Sequence, residues 1–399
     1  MRLLLVVTIV LVTVLAGGCA TAPDRMFVPA ALVSAAEIKD MAGVRSWGDE
    51  PPSWEQLKAT QVPVLRAKFQ SRIREGKPLQ SNILALSGGG ENGAFGAGLL
   101  VGWGERGDRP DFDLVTGVSA GALIAPFAFL GSAYDRQLSE LFTHFGSDDI
   151  YESTILAGVL GGTAVASNAP LKALIERYVD QDLMRRLAEK RATGRMLLVG
   201  TTNLDAERPV FGDLGKIAQQ GNKQALELIR SVLLASAAIP GIFPPVRIKV
   251  VAKGKIYEEL HVDGGPTRQV FLSPSDFSFQ DIDKALGRKV ERNLYIVRNG
   301  KLGPEWDKAS ESLLSISQRS LYATTKYQAL GDLVRMHSKA RADGIGFNLA
   351  AIPDSFNASL PRPFDQAYMK ALYELGLRMG RESYPWMAAP PGIGAASAR

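Results

Sequence analysis

Cysteine is almost missing from this chain: Cys19 is the only one in 399 residues, which excludes an internal disulfide and any structural metal centre built from several thiolates. Histidine is nearly as scarce, with only His144, His261 and His337. A serine hydrolase with the usual order of serine, acid and histidine would therefore have to recruit His261 or His337. Charge of one sign is also in short supply, since 46 Lys and Arg against 41 Asp and Glu leave a formal +5. No dense basic block is interleaved with aromatics, so nucleic acid is not an expected partner, while a weak attraction to anionic lipid surfaces remains open. Internal repeats are absent. What the chain does have is 46% hydrophobic residues, enough to bury a large core as one α/β domain with appendages or as two domains.

The N-terminus carries the longest apolar run. Arg2 precedes Leu3 to Leu15, interrupted by Thr8 and Thr13, too short for a comfortable membrane span and the right size for a secretory core. It leads into Ala16-Gly17-Gly18-Cys19, which resembles the lipobox of bacterial lipoproteins, with Ala16 where a leucine is usual. The expectation is a signal peptide over residues 1–18 and lipidation of Cys19. Ala20 in the following position implies, in a Gram-negative host, the periplasmic face of the outer membrane. Residues 19–80 read as a tether and N-terminal packing arm with helical patches at 30–42 and 54–75. Residues 388–399, rich in Ala, Pro and Gly, read as a flexible tail.

Between these ends, strand-like runs at 83–86, 196–201, 257–262 and 293–297 alternate with helical stretches at 171–179, 224–238 and 311–340. That alternation predicts an α/β fold, a mostly parallel central sheet covered by helices on both faces. The first run enters Ser87-Gly88-Gly89-Gly90-Glu91-Asn92-Gly93, a loop whose exposed N–H groups suit an anion. Gly88, Gly90 and Gly93 satisfy the spacing of a dinucleotide fingerprint, whose acidic partner would be sought near Asp111 and Asp113. The same loop suits the oxyanion of an acyl-transfer intermediate, which requires a nucleophile on a neighbouring strand. Gly117-Val118-Ser119-Ala120-Gly121 supplies one. Phe112, Leu114 and Val115 form a short buried-strand pattern before it, and the small apolar stretch 122–130 forms a helix pattern after it. Ser119 would then sit on a tight strand-to-helix turn with its hydroxyl at a helix N-terminus.

A serine needs a base. His261 lies two residues from Asp263 and shares a strand face with it, while Asp263-Gly264-Gly265 places a carboxylate at a strand end where glycines let another group approach. Three elements in chain order, Gly88 to Gly93, Gly117 to Gly121, and Asp263 to Gly265, resemble the patatin-like phospholipases. So do Ala237 to Pro245 and Thr201 to Asp205. The resemblance covers residues 81–300 and implies a three-layer α/β/α patatin-like catalytic domain there, followed by a helical extension of the core over 301–387.

What the resemblance implies for chemistry is a Ser/Asp dyad without histidine. Ser119 attacks an ester carbonyl, Asp263 takes its proton, and Gly88, Gly89 and Gly90 bind the oxyanion, with Gly93, Gly117, Gly121, Gly264 and Gly265 as motif glycines. It implies no metal or organic cofactor, a membrane lipid or other acyl ester as substrate, and cleavage through an acyl-enzyme. An acyltransferase with the same dyad and a non-catalytic lipid-binding lipoprotein are the alternatives. One departure stands out: Asn92 occupies a loop position where the family commonly has Arg or Lys. His144 reads as a structural helix residue. Residues from 300 onward, including Leu313, Leu314, Leu321, Leu330, Leu333 and Val334, read as packing surface.

Overall fold

A computed structural model describes residues 25–153, 164, 166–274, 277–306 and 310–393; Cys19 with its leader, and the last residues of the tail, lie outside them. The strands are β1 Glu37–Ile38, β2 Arg45–Trp47, β3 Leu79–Leu86, β4 Leu114–Val118, β5 Glu152–Ser153, β6 Ala166–Ser167, β7 Met196–Asn203, β8 Arg208–Asp213, β9 Val246–Ala252, β10 Lys255–Asp263, β11 Val290–Lys301 and β12 Gly346–Ile352. The helices used below are α1 Trp54–Arg74, α2 Gly93–Arg106, α3 Ala120–Leu130, α4 Lys223–Ser236, α5 Leu313–Asp343 and α6 Gln366–Arg381.

The centre of the sheet is parallel, in the order β7-β4-β3-β11-β12. Its strands are buried on both faces, which is why they read as continuous apolar runs. In β3, Leu84 and Leu86 join the core under α2, α3 and α6, whereas Ile83 and Ala85 pack with Leu333, Met336 and Ala340 of α5. This is the three-layer arrangement expected from the alternating pattern. Antiparallel strands β10, β9 and β1 extend one side, and β8 with β2 branches from β7.

One register relationship builds the site. Strand β4 runs beside β7 only as far as Val118, opposite Gly200. The next residue of β7, Thr201, is paired instead with Asp263 at the end of β10, running the other way. The carboxyl ends of β4 and β10 thus meet head-on along the same edge of β7. Open α/β sheets bind ligands at strand carboxyl ends.

Some readings change. The helical patch over 30–42 is only a 3-10 turn, Ala30–Ala35, followed by β1; Asp40 at φ 61° and Gly43 at φ 68° interrupt a helix, and Ile38 and Met41 are buried. The 301–387 region, read as helical, also adds β12 to the sheet, since a short apolar run such as 349–352 has no periodicity that separates strand from helix. Leu333 is buried in α5, but Leu321 and Val334 face solvent. Helix α6 docks on α2 through glycines: a Cβ on Gly98 would lie 2.1 Å from Tyr373 O, and one on Gly376 would lie 2.3 Å from Phe95 O. That close approach ties the C-terminal region to the helix following the glycine loop. Among the described residues no helix is long and apolar enough to cross a membrane.

Candidate active site

Ser119 leaves β4 with φ 55° and ψ −125°, a conformation that L residues rarely adopt and that costs on the order of 1–3 kcal/mol. Helix α3 begins at the next residue, so Ser119 sits at the positive end of its dipole. The turn closes this tightly because Gly117 and Gly121 have no side chains: a Cβ on Gly121 would lie 2.4 Å from Leu86 O, and one on Gly117 would lie 2.5 Å from Gly121 O. Ser236, at the end of α4, accepts the Ser119 N–H at 3.0 Å and donates to Gly200 O at 2.7 Å. Sequence reasoning missed Ser236, since nothing local marks it.

Asp263 is buried beside this turn. Its backbone N–H donates to Ala238 O at 2.9 Å, and its Oδ1 accepts the Gly265 N–H at 2.7 Å. Oδ2 is buried with no hydrogen-bond partner. Burial pushes the Asp263 carboxyl up to about 6, with the neighbouring Ser119 hydroxyl and the Gly265 N–H opposing the shift. Gly264 packs where a Cβ would lie 2.6 Å from Gly200 O and 3.0 Å from Val118 Cγ1. The structure therefore brings Ser119 and Asp263, 144 residues apart in sequence, to one point.

The glycine loop lies against the serine, with a Cβ on Gly88 falling 3.1 Å from Ser119 Cβ. Its three amides are not equivalent. Gly88 N–H already donates to Gln269 O at 3.0 Å, which removes it from the set of donors the sequence reading assigned to an oxyanion. Gly89 and Gly90 N–H have no acceptor among the described residues. Gly90 at φ 55° opens a short 3-10 turn, and Gly93 begins α2 against Ala120, where a Cβ would lie 2.8 Å from Ala120 Cβ. Asn92 accepts the Tyr368 hydroxyl at 2.6 Å. The Gln269 side chain, buried and missed in the sequence, packs between Gly88 and Gly265.

None of the histidines hydrogen-bonds to Ser119 or Asp263. His261 is buried with both ring nitrogens committed, Nε2 to Glu259 at 3.0 Å and Nδ1 to Thr201 Oγ1 at 2.9 Å. Burial lowers its proton affinity. Burial also works against charge on Glu259, but hydrogen bonds from His261 and Arg45 pull it down to about 2. His337 packs edge-on against Phe347 and His144 caps an exposed helix end. Asp111 and Asp113, the acids a dinucleotide site would need, pair with Arg195 and Lys68. Among the described residues no group of three or more His, Cys, Asp or Glu is placed to hold a metal.

Ser119 lines a narrow recess whose walls are apolar, among them Leu123 of α3, Phe145, Leu174, Ile239, Phe243 and Phe364. Leu123 lies in the helix that follows Ser119, and Ile239 and Phe243 lie in the 237–245 segment that carries the family resemblance; Phe145, Leu174 and Phe364 come from elements the sequence did not connect to the site. A buried carboxylate beside a strained serine, two free amides and a greasy chamber together suit nucleophilic attack on an acyl group.

No curated protein matches the chain significantly. Solved structures similar to it include VipD from Legionella pneumophila, at 13% identity and a TM-score of 0.32 over 77% of this chain and 67% of that one. Another is human GIVD cytosolic phospholipase A2, at 12% identity and a TM-score of 0.33 over 87% of this chain and 64% of that one, less than two thirds of its length. The family model described as patatin-like phospholipase matches residues 84–274, a span holding Ser119, Asp263 and the glycine loop, and the chain carries a domain of that family.

Proposed function

We propose that the protein is a serine acyl hydrolase of lipid esters. The observation that carries this reading is Asp263 Oδ2, buried and unpartnered, with its carboxyl pushed up to about 6, beside a strained Ser119 at the floor of an apolar cavity. Ser119 Oγ forms a bond to the ester carbonyl carbon while its proton passes to Asp263. The carbonyl π pair becomes an oxyanion facing the Gly89 and Gly90 amides and the start of α3. When the oxyanion collapses, the carbon–alkoxide bond breaks and the Asp263 proton leaves with the alcohol. Water then attacks the acyl-enzyme carbonyl and gives a proton to Asp263; as this second oxyanion collapses, the bond from the carbonyl carbon to Ser119 Oγ breaks, Asp263 returns the proton to Ser119 Oγ, and the fatty acid departs. A base near 6 suits this cycle at neutral pH, because it is ionised at rest and still a better proton acceptor than an exposed aspartate.

A fluorophosphonate probe and a panel of lipid esters, applied to wild type and Ser119→Ala, test the reading. Labelling and hydrolysis lost together in Ser119→Ala are expected. A folded wild type that neither labels nor hydrolyses sinks it in favour of a lipid-binding role, and transfer of the acyl group to an added alcohol in place of water identifies an acyltransferase.

The lipid anchor belongs to the same proposal. Acylation of Cys19 would hold the cavity beside the membrane and raise the local concentration of its substrate. Incorporation of a labelled fatty acid that disappears in Cys19→Ser tests it.

A further inference from the structure

Gly89 N–H shares a peptide group with the Gly88 carbonyl, and that carbonyl is held twice from behind. Ser87 Oγ donates to it at 2.7 Å and Arg298 Nη1 at 2.9 Å. The Ser87 hydroxyl is itself saturated: it accepts Asn299 N–H at 2.8 Å and Arg298 Nη1 at 3.2 Å. Asn299 Nδ2 donates to the Ser87 carbonyl at 2.8 Å and its Oδ1 accepts Gly96 N–H at the start of α2. Two consecutive residues of β11 thus strap the glycine loop to the sheet.

Arg298 is an unusual strap. It is 7% exposed, and among the described residues no carboxylate comes within 4.0 Å of it. Burying a guanidinium without an ion-pair partner is expensive, and a neutral donor such as asparagine would hold a carbonyl at lower cost. Burial brings Arg298 down to about 10, partly offset by Glu305 and Asp332, so it stays charged at neutral pH. The charge reaches the loop from a strand beyond the 84–274 family match, while Asn92 stands within the loop where a basic residue is common.

We infer that Arg298 is a positioning residue for the oxyanion hole, fixing and polarising the Gly88–Gly89 peptide so that Gly89 N–H is presented as a strengthened donor. The peptide is planar and trans, so anchoring its carbonyl toward β11 sends the N–H the opposite way. A charge-assisted bond on the carbonyl also strengthens the donor at the other end of the same amide. The inference rests on the acyl-hydrolase reading above.

The test compares wild type, Arg298→Met, Arg298→Lys and Ser87→Ala on p-nitrophenyl butyrate, with rates normalised to sites titrated by fluorophosphonate. Arg298→Met is expected to lower kcat by ~10–100-fold with KM within ~2-fold, somewhat less than loss of a whole oxyanion donor. Arg298→Lys, which keeps a charged donor, should recover most of the rate. If Arg298→Met does not fold, Ser87→Ala, which removes the other bond to the same carbonyl, should still lower kcat at constant KM. Hydrogen exchange over residues 86–91 gives a readout independent of turnover: it should quicken in Arg298→Met while the rest of β11 stays protected. Normal kcat per titrated site in Arg298→Met, or exchange over 86–91 equal to wild type, overturns the inference. A wild type that neither labels nor hydrolyses defeats the hydrolase reading instead, and the exchange comparison still decides whether Arg298 pins the peptide.

Discussion

Ser236 Oγ accepts the backbone N–H of Ser119 at 3.0 Å and donates its own proton to Gly200 O at 2.7 Å. The hydroxyl of a residue 117 positions away therefore satisfies the backbone donor of Ser119, which the strained turn places in neither the sheet nor the helix. Ser236→Ala leaves that N–H and the Gly200 carbonyl unsatisfied in a buried site, a loss of about 1–3 kcal/mol. Chemical denaturation should show it. Fluorophosphonate labelling of the folded variant should also slow, because the turn that aims Ser119 has lost its tie to α4. An unchanged labelling rate would make Ser236 a stability residue alone.

On the proposed hydrolase reading, the Asp263 carboxyl must be ionised to accept the Ser119 proton, and burial holds it at about 6. Activity measured as kcat/KM should therefore fall on the acid side with a midpoint near 6, about two units above an ordinary aspartate. A profile flat down to pH 4.5 would remove Asp263 as the base. His261→Gln should leave that limb in place, since both nitrogens of His261 are committed to Glu259 and Thr201.

The same shift makes Asp263 a liability for stability. Its folded-state affinity for a proton exceeds the unfolded one, so its contribution is most favourable below about pH 4 and is lost as pH rises through about 6. At pH 7 the ionised carboxylate penalises the fold by on the order of 1–3 kcal/mol. Asp263→Asn retains an acceptor for Gly265 N–H and carries no charge. It should be nearly inactive yet melt higher than wild type at pH 7, with the difference shrinking toward pH 4. A variant less stable at pH 7 and equally so at pH 4 would show that desolvation of the charge is not the dominant effect.

Local chemistry makes the Ser119 and Asp263 turns legible in the amino-acid sequence. A strand, a Gly-x-Ser-x-Gly turn and a small-residue helix are contiguous, and Asp263-Gly264-Gly265 ends its own apolar run, so each half can be read within a dozen residues. What escapes depends on contacts far apart in the chain. Gly88 N–H is spent on Gln269 O, and Arg298 reaches Gly88 across 210 positions; no pattern within a segment announces either. Strand β12 escapes for a different reason, because its apolar run is too short to carry a period.

Gly121 is a position where fold and site leave no room for a side chain. A Cβ there would lie 2.4 Å from Leu86 O and 2.7 Å from Ser87 O, both backbone atoms that lead into the glycine loop. Neither can swing aside as a side-chain tip would. Gly121→Ala should either abolish soluble expression or destabilise by about 3 kcal/mol or more, the range reserved for overpacking and forced backbone shifts. A soluble Gly121→Ala with wild-type melting and labelling would show that β3 and α3 can separate, contrary to the packing described.

The cavity gives the substrate prediction. Leu174 stands in its wall with Phe145 and Phe243, on a helix, Ala169–Tyr178, that carries neither Ser119, Asp263 nor the glycine loop, so a change there alters the space for the proposed acyl chain without replacing a group of the proposed chemistry. Each methylene buried is worth about 0.8 kcal/mol, roughly fourfold in kcat/KM. Leu174→Trp, by filling space equivalent to two or more methylenes, should lower the ratio of long-chain to short-chain ester turnover by ~15-fold or more, with short-chain kcat nearly unchanged. Leu174→Ala should raise that ratio, at about 2–5 kcal/mol of stability. A p-nitrophenyl ester series from C4 to C16 reads both. Parallel losses at every chain length in Leu174→Trp would mean that the acyl chain lies elsewhere, and that this chamber is core packing rather than the substrate's seat.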